Sequence, residues 1–100
     1  MTTVVIAVPA YNEALILKQN IRSLQQYCSD YLPNYDVTIV IGNNASSDDT
    51  ALIADALCDT YASIHVIHNT FQSIGKSITQ IWSRFQADIY LHIDADIPGE

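Results

Sequence analysis

Two aspartates, Asp94 and Asp96, follow a short apolar run and stand one residue apart. At this spacing on an extended chain both carboxylates point to one side, where they repel each other unless a cation or strong donors separate them. Mg²⁺ and Mn²⁺ prefer such oxygen ligands, and commonly take one or two carboxylates together with the phosphates of a ligand. The pair therefore predicts a metal-bound phosphate. Taken alone, it also fits a structural role in which Asp94 caps a turn and Asp96 is solvated. His92 is either a third metal ligand or a structural histidine.

Polar residues also follow two earlier apolar runs. After the run VVIAV, Pro9 precedes Tyr11, which could stack on a base, and Glu13, which could accept hydrogen bonds from a ribose or base. After the run VTIVI, Asn43 and Asn44 offer amides able to read a base edge. A structural role for the first segment stays open, with the proline ending a strand and the tyrosine packing.

Other candidate groups carry weaker signals. Lys76 follows Gly75 without the complete G-x-x-x-x-G-K-[ST] pattern, so it is either a phosphate partner or a solvated charge. Cys28 and Cys58 have no C-x-x-C context and are expected to be free, buried thiols. Neither a G-x-S-x-G motif nor a Ser-His-Asp pattern is present, so nucleophilic hydrolase chemistry has no support.

The composition is that of one small folded domain, with 49% hydrophobic and 15% charged residues in a chain of 100. Four basic against eleven acidic residues give a net charge of −7, which argues against a nucleic-acid partner. A small anionic ligand remains compatible, because backbone N–H groups or a bound cation supply local positive potential. The sequence lacks a signal peptide and any run of about 20 apolar residues. We expect a cytoplasmic protein, or one on the cytoplasmic face of a membrane if a longer protein is anchored.

The elements that must position these residues alternate along the chain. Short runs rich in β-branched residues predict strands at 4–8, 37–41, 64–67 and 89–93, and apolar residues at helical spacing fill the segments between them. Asn12, Ser46 with Asp49, and Ser73 are predicted to cap the three helices. The order β-α-β-α-β-α-β predicts an α/β fold with a four-stranded, mainly parallel sheet. Ligands of such sheets bind beyond the carboxyl ends of the strands, where these polar residues fall.

Four motifs in this order resemble the N-terminal half of a family 2 glycosyltransferase with the GT-A fold. They are V-P-A-Y-N-E at 8–13, N-N-A-S-S-D-D-T at 43–50, G-K at 75–76 and D-A-D at 94–96. Each is weak alone, but together they span the chain. The resemblance implies a Rossmann-like, three-layer α/β/α arrangement. It also implies an enzyme that transfers a sugar from a UDP- or GDP-linked donor, usually with Mg²⁺ or Mn²⁺.

The resemblance also assigns roles by position to the first two motifs. Pro9, Tyr11 and Glu13 correspond to the lining of the base and ribose pocket, and Asn44 falls in the loop that reads the base. Asn43 stands where the family commonly has an aspartate that recognises the base, which leaves the nucleotide preference open.

The last two motifs correspond to the phosphate side of the donor. Lys76 is expected near the nucleotide, and Asp94 is expected to face the ribose or the metal. Asp96 corresponds to the metal ligand that bridges the diphosphate. Stabilisation of charge on the departing nucleotide diphosphate is the role of the cation in this interpretation.

The family's second half, which holds the acceptor pocket and usually the catalytic base, does not follow within this sequence. Residues 1–100 are therefore expected to be the donor-binding half of a truncated domain, inactive alone, with the acceptor and base unidentified. An exposed fourth strand favours self-association. Two alternatives stay open. One is a nucleotidyltransferase, which should carry a Gly-rich, Arg-containing loop after the first strand. The other is a non-catalytic module that keeps the fold for nucleotide binding or assembly.

Overall fold

The computed structural model describes residues 1–95 and contains the predicted alternation of strands and helices. Its elements are β1 (Thr2–Ala10), α1 (Leu17–Tyr31), β2 (Tyr35–Asn44), α2 (Thr50–Thr60), β3 (Ile64–Asn69), α3 (Ile74–Arg84) and β4 (Ile89–His92). All three pairs of neighbouring strands are parallel, and the strand order is β3-β2-β1-β4. The predicted α/β fold is confirmed. Asp96 lies outside the described residues.

Apolar residues on the two faces of the sheet build two separate cores. On β1, Val4, Ile6 and Val8 belong to a cluster that includes residues of α1 and α2, whereas Val5 and Ala7 pack with residues of α3. Successive residues of a strand point to opposite faces, which explains this division. The near-continuous apolar strands are therefore covered on both sides, and the three layers are α/β/α.

β4 forms one edge of this sheet. It pairs with β1 from Val4↔Ile89 to Ala7↔His92, and its side chains remain exposed, including the apolar Tyr90 and Leu91. The expected exposure of the fourth strand is confirmed, while self-association stays a prediction. Between residues 1 and 95, no helix has the length and apolar character needed to cross a membrane.

The helix starts differ from two of the three predicted caps. α1 begins only at Leu17, and Asn12, with φ of 51°, accepts a hydrogen bond from the Ser47 amide instead of capping that helix. At α2 the N-cap position belongs to Asp49, without a side-chain cap, because Ser46 accepts from the Asn12 amide. These two predictions were wrong, since each side chain serves the neighbouring loop. The cap of α3 is confirmed, with Ser73 Oγ accepting from the Lys76 amide at 3.2 Å.

Both cysteines are free, as predicted. Cys28 is buried in the core, whereas Cys58 is only half-buried. Burial raises the pKa of the Cys28 thiol. The thiol therefore stays protonated at neutral pH and acts as a small apolar core group.

Candidate functional site

A cleft of about 190 Å³ opens at the carboxyl edge of the sheet, where the chain order of the strands reverses. β1 leads to β2 and β3 on one side, while β4 lies on the other side of β1. Ligands of open α/β sheets bind at such a switch point. The cleft is lined by Pro9, Ala10, Tyr11, Glu13, Asn44, Ile74, Asp94 and Ala95.

Five residues predicted from three separate motifs thus line one cleft. They are Pro9, Tyr11, Glu13, Asn44 and Asp94. The Tyr11 side chain is 44% exposed, which leaves its ring accessible, whereas Asn44 is 1% exposed. Asn44 Oδ1 accepts a hydrogen bond of 3.1 Å from Asn69 Nδ2, so the amide is held in one orientation. The cleft therefore combines an accessible aromatic ring, two carboxylates and a fixed amide.

The two residues that flank Asp94 are hydrogen-bonded to other elements of the fold. The Ile93 amide donates to the carbonyl oxygen of Ala7 at 3.0 Å, which continues the β1–β4 ladder. Asn20 Nδ2 on α1 donates to the carbonyl oxygen of Ala95 at 2.8 Å. These contacts hold the Asp94 backbone against the end of β1.

The segment that carries Tyr11 and Glu13 is fixed by the loop before α2. The Asn12 amide donates to Ser46 Oγ of this loop at 3.0 Å, and the Glu13 amide donates to Oγ1 of Thr50, the first residue of α2, at 2.9 Å. In return, the Ser47 amide donates to Asn12 Oδ1 at 2.8 Å. The two loops therefore hold each other through reciprocal hydrogen bonds.

Asn43 is not among the residues that line the cleft. Its side chain contacts β3, with Nδ2 3.0 Å from Nδ1 of His68, and the other ring nitrogen of His68 lies 2.9 Å from Asp55 Oδ1. When the amide donates to Nδ1, the ring proton is on Nε2 and is donated to the aspartate. Asn43 Oδ1 is buried and has no hydrogen-bond partner among residues 1–95. β2 continues to Asn44, so the two asparagines point to opposite faces of the sheet.

Lys76 lies in the first turn of α3 and also does not line the cleft. Its ammonium group sits 4.9 Å from the centre of the Phe71 ring, a cation–π contact. Its contact with a nucleotide stays a prediction. His92 packs near Trp82, with ring centres 6.2 Å apart, and its role as metal ligand or structural histidine stays a prediction.

The oxygen donors suit a hard divalent cation. Glu13 and Asp94 bring two carboxylates to the cleft, and among residues 1–95 no thiolate or imidazole lines it, so the donor set fits Mg²⁺ or Mn²⁺ better than a softer metal. Within residues 1–95 no group of three or more His, Cys, Asp or Glu side chains is arranged to hold a metal. The metal prediction therefore depends on Asp94 and on Asp96, which lies outside the described residues.

Some residues of the site were not predicted. Ala10, Ile74 and Ala95 line the cleft, yet none of them has a side chain whose chemistry indicates a ligand. Asp48 and Thr50 belong to the motif at 43–50, but no separate role was predicted for either. Asp48 Oδ1 accepts from the Thr50 amide at 2.9 Å and from the Thr50 hydroxyl. The Thr50 hydroxyl is the main reason that the pKa of Asp48 is lowered, with backbone amides contributing.

Solved glycosyltransferases share this fold. One is the mannosyltransferase PcManGT from Pyrobaculum calidifontis, in complex with GDP-Man and Mn²⁺, which aligns at a TM-score of 0.81 and 21% identity. The alignment covers 93% of this chain and 27% of the mannosyltransferase chain. TarS 1-349 from S. aureus, in complex with UDP, aligns at 0.77 and 21% identity, covering 96% of this chain and 28% of its own.

A third solved structure is glucosyl-3-phosphoglycerate synthase from Mycobacterium tuberculosis in complex with UDP. It aligns at a TM-score of 0.74 and 22% identity, covering 98% of this chain and 35% of its own. At these identities the likeness shows the fold, and the chain spans about a third or less of each of the three neighbours. No curated protein sequence matches the chain significantly.

The sequence itself matches a family described as glycosyl transferase family 2 over residues 5–97. This range begins inside β1 and continues past β4, so apart from residues 2–4 it includes every described strand and helix and all the described residues that line the cleft. The family resemblance and the GT-A type of fold expected from the four motifs are confirmed. Because the match takes in nearly the whole sequence, the chain belongs to glycosyl transferase family 2.

Proposed function

We propose that the cleft binds the nucleotide diphosphate part of a sugar donor, and that the chain is the donor-binding part of a metal-dependent glycosyltransferase. The main support is one observation: Tyr11, Glu13, Asn44 and Asp94, which lie at the carboxyl ends of three different strands or just after them, line one cleft at the switch point of the sheet. The first half of this proposal concerns this chain alone. The transfer reaction concerns a longer protein.

Each side chain has a role that its chemistry supports. The accessible ring of Tyr11 stacks on the base, and the Glu13 carboxylate accepts hydrogen bonds from ribose hydroxyls or the base. Asn44 presents an amide that is already held by Asn69, so little side-chain freedom is lost when the ligand binds. Asp94 faces the ribose or the metal. Pro9 shapes the wall, while Asn43 and Lys76 keep their assigned nucleotide roles only if the ligand reorients them.

The metal proposal depends on charge. A nucleotide diphosphate is anionic, and it enters a cleft whose lining includes Glu13 and Asp94. Asp94, with Asp96, would hold Mg²⁺ or Mn²⁺ against the diphosphate, as oxygen ligands do for these ions. When bound, the cation stabilises the charge that develops on the departing nucleotide diphosphate. GDP-Man together with Mn²⁺ is present in the neighbouring mannosyltransferase structure, and UDP in the other two.

The short length of the chain relative to the three solved structures supports a role in donor binding alone. Because the chain spans 27% to 35% of those three proteins, we assign residues 1–100 to the donor side of a larger GT-A domain. We place the acceptor pocket and the catalytic base outside these residues. The acceptor, the donor sugar and the choice between UDP and GDP are not specified by the cleft.

Calorimetric titration of the chain with UDP and GDP, each with and without Mn²⁺, tests the proposal. We expect one nucleotide to bind in the presence of Mn²⁺. Asp94→Asn should weaken that binding about tenfold or more, because a hydrogen bond or metal contact of a charged group is lost. Asp36→Asn is the matched control, since Asp36 is an exposed acid near the start of β2, at the amino ends of the strands and away from the cleft.

Three results would count against the proposal. Absence of binding by either nucleotide at millimolar concentration would favour a non-catalytic module. Equal losses of nucleotide affinity in Asp94→Asn and Asp36→Asn would mean that binding depends on the net charge of the chain and not on the cleft. Binding that is unaffected by Mn²⁺ and by the Asp94 substitution would place the nucleotide elsewhere on the chain.

A further inference from the structure

Three successive backbone amides next to the cleft are held by side chains of the loop before α2 and of the first residue of that helix. The amides of Asn12, Glu13 and Ala14 donate to Ser46 Oγ, Thr50 Oγ1 and Asp48 Oδ2 at 3.0, 2.9 and 3.3 Å. We call these three hydrogen bonds the clasp. The held segment follows β1 directly and carries Tyr11 and Glu13, which line the cleft.

Thr50 and Asp48 form the centre of the clasp. Thr50 is fully buried, and its hydroxyl accepts from the Glu13 amide while it donates to Asp48 Oδ1. The carboxylate thus fixes the hydroxyl hydrogen and leaves an oxygen lone pair facing the amide. Its second oxygen accepts from the Ala14 amide. One carboxylate therefore determines the hydrogen bonding of two successive amides in the opposite loop.

Neither Asp48 nor Thr50 lines the cleft. From this geometry we infer that both are positioning residues, which hold the Tyr11–Glu13 wall in its binding geometry before the ligand arrives. The inference rests on the proposed nucleotide binding. It adds that affinity depends on two residues without ligand contact, and that these act through the backbone of the segment at 12–14.

The physical reason is the conformational freedom of that segment. Residues 11–16 form neither strand nor helix, and Asn12 has a left-handed φ of 51° that an unrestrained asparagine adopts only occasionally. Without the clasp, the segment samples several conformations, and a ligand has to select the competent one. The entropy of ordering this wall then reduces the measured affinity.

Four variants of the full 100-residue chain test the inference. Thr50→Val removes the hydroxyl at nearly constant volume, and Thr50→Ser restores it. Asp48→Asn replaces one accepting oxygen with a donor. Asp49→Asn, the matched control, makes the same charge change one residue away, where the side chain makes no capping hydrogen bond.

Two quantities are measured for each variant. The first is the hydrogen exchange of the Glu13 and Ala14 amides by NMR, relative to core amides of β1. The second is the Kd for UDP and for GDP with Mn²⁺. Thr50→Val and Asp48→Asn should each speed exchange at these amides and weaken nucleotide binding by about tenfold, as expected for one lost hydrogen bond near a binding site. Thr50→Ser and Asp49→Asn should resemble the wild type in both quantities.

The outcomes separate this inference from the proposed function. If the wild type binds nucleotide and Thr50→Val or Asp48→Asn binds equally well despite faster amide exchange, the positioning role is wrong while the proposed function stands. If the wild type binds neither nucleotide, both fail, and the clasp only stabilises the fold. Asp48 is exposed, so its variant should remain folded even if loss of the buried threonine hydroxyl unfolds the chain.

Discussion

At the scale of single residues, carboxylates in this chain hold backbone segments together by accepting hydrogen bonds. Asp48 does so beside the cleft, and Asp88 does so at the amino ends of the strands. Asp88 Oδ2 accepts from the Thr3 amide at 2.9 Å and from the Thr3 hydroxyl at 3.1 Å, and the Asp88 amide donates back to Thr3. This pair joins the start of β1 to the residue before β4, so it fixes where β4 is added to the sheet.

The Asp88 contact predicts a pH-dependent stability. The Thr3 amide and hydroxyl favour the ionised carboxylate, so they lower the pKa of Asp88 in the folded state. A lowered folded-state pKa contributes stability above the unfolded pKa of about 3.9, and this contribution is lost as the pH falls through the folded-state value. Thermal unfolding of Asp88→Asn should therefore occur at a lower temperature than wild type at pH 7 and 5, with the gap closing near pH 2. A gap that stays constant over this range, or an equal effect of Asp36→Asn, would contradict this explanation.

At the scale of elements, α3 approaches β2 closely where a glycine leaves room. A Cβ atom on Gly42 would lie 2.2 Å from Ser77 Oγ on α3, and Ser77 is fully buried. Ser77 Oγ also has no hydrogen-bond partner among residues 1–95. The serine therefore contributes its small size to this contact, and its hydroxyl makes no hydrogen bond there. The small residues on both elements therefore set the distance between helix and sheet beside the cleft.

A double-mutant cycle at this contact tests the packing. Gly42→Ala should destabilise the fold by about 1–3 kcal/mol, because the added methyl group forces the Ser77 hydroxyl or the helix to move. Ser77→Ala should leave stability unchanged or raise it, since it removes an unsatisfied buried hydroxyl and alanine favours the helix. In the Ser77→Ala background the cost of Gly42→Ala should fall by more than half, because the next two atoms, Ile81 Cδ1 at 3.4 Å and Ser77 Cβ at 3.5 Å, are at ordinary contact distances. Additive effects in urea denaturation would show that the two residues are not coupled.

Element order was predictable because each strand and helix carries its own local signal. The strand runs were found from their β-branched residues, and Ser73 was recognised as a cap because its partner, the Lys76 amide, is three residues away. Asn12 and Ser46 were misassigned because their partners lie 34 or more residues away, in loops that meet only after the sheet forms. The opposite orientations of Asn43 and Asn44 follow from strand periodicity once β2 is known to reach Asn44, beyond the apolar run that ended at residue 41.

At the scale of the whole molecule, charge opposes the proposed ligand. The chain has a net charge of −7, and the part of the cleft lining that the structure describes includes Glu13 and Asp94 but no Lys or Arg. A nucleotide diphosphate therefore meets repulsion both at long range and inside the cleft, unless a cation accompanies it. The same distribution leaves a neutral nucleoside unaffected, because its base and ribose contacts do not involve net charge.

Ionic strength separates these two cases. In the absence of divalent metal, the affinity for UDP or GDP should rise a few-fold between about 20 and 150 mM KCl, because the Debye length shortens from about 20 Å to about 8 Å and the repulsion is screened. Uridine or guanosine should bind with an affinity that hardly changes over this range. Mn²⁺ should raise the affinity for the diphosphate far more than that for the nucleoside, since only the diphosphate offers the metal oxygen ligands. If metal-free diphosphate affinity falls with salt instead, positive potential from backbone amides dominates in the cleft. The case for a cation shared between the acids and the diphosphate would then be lost.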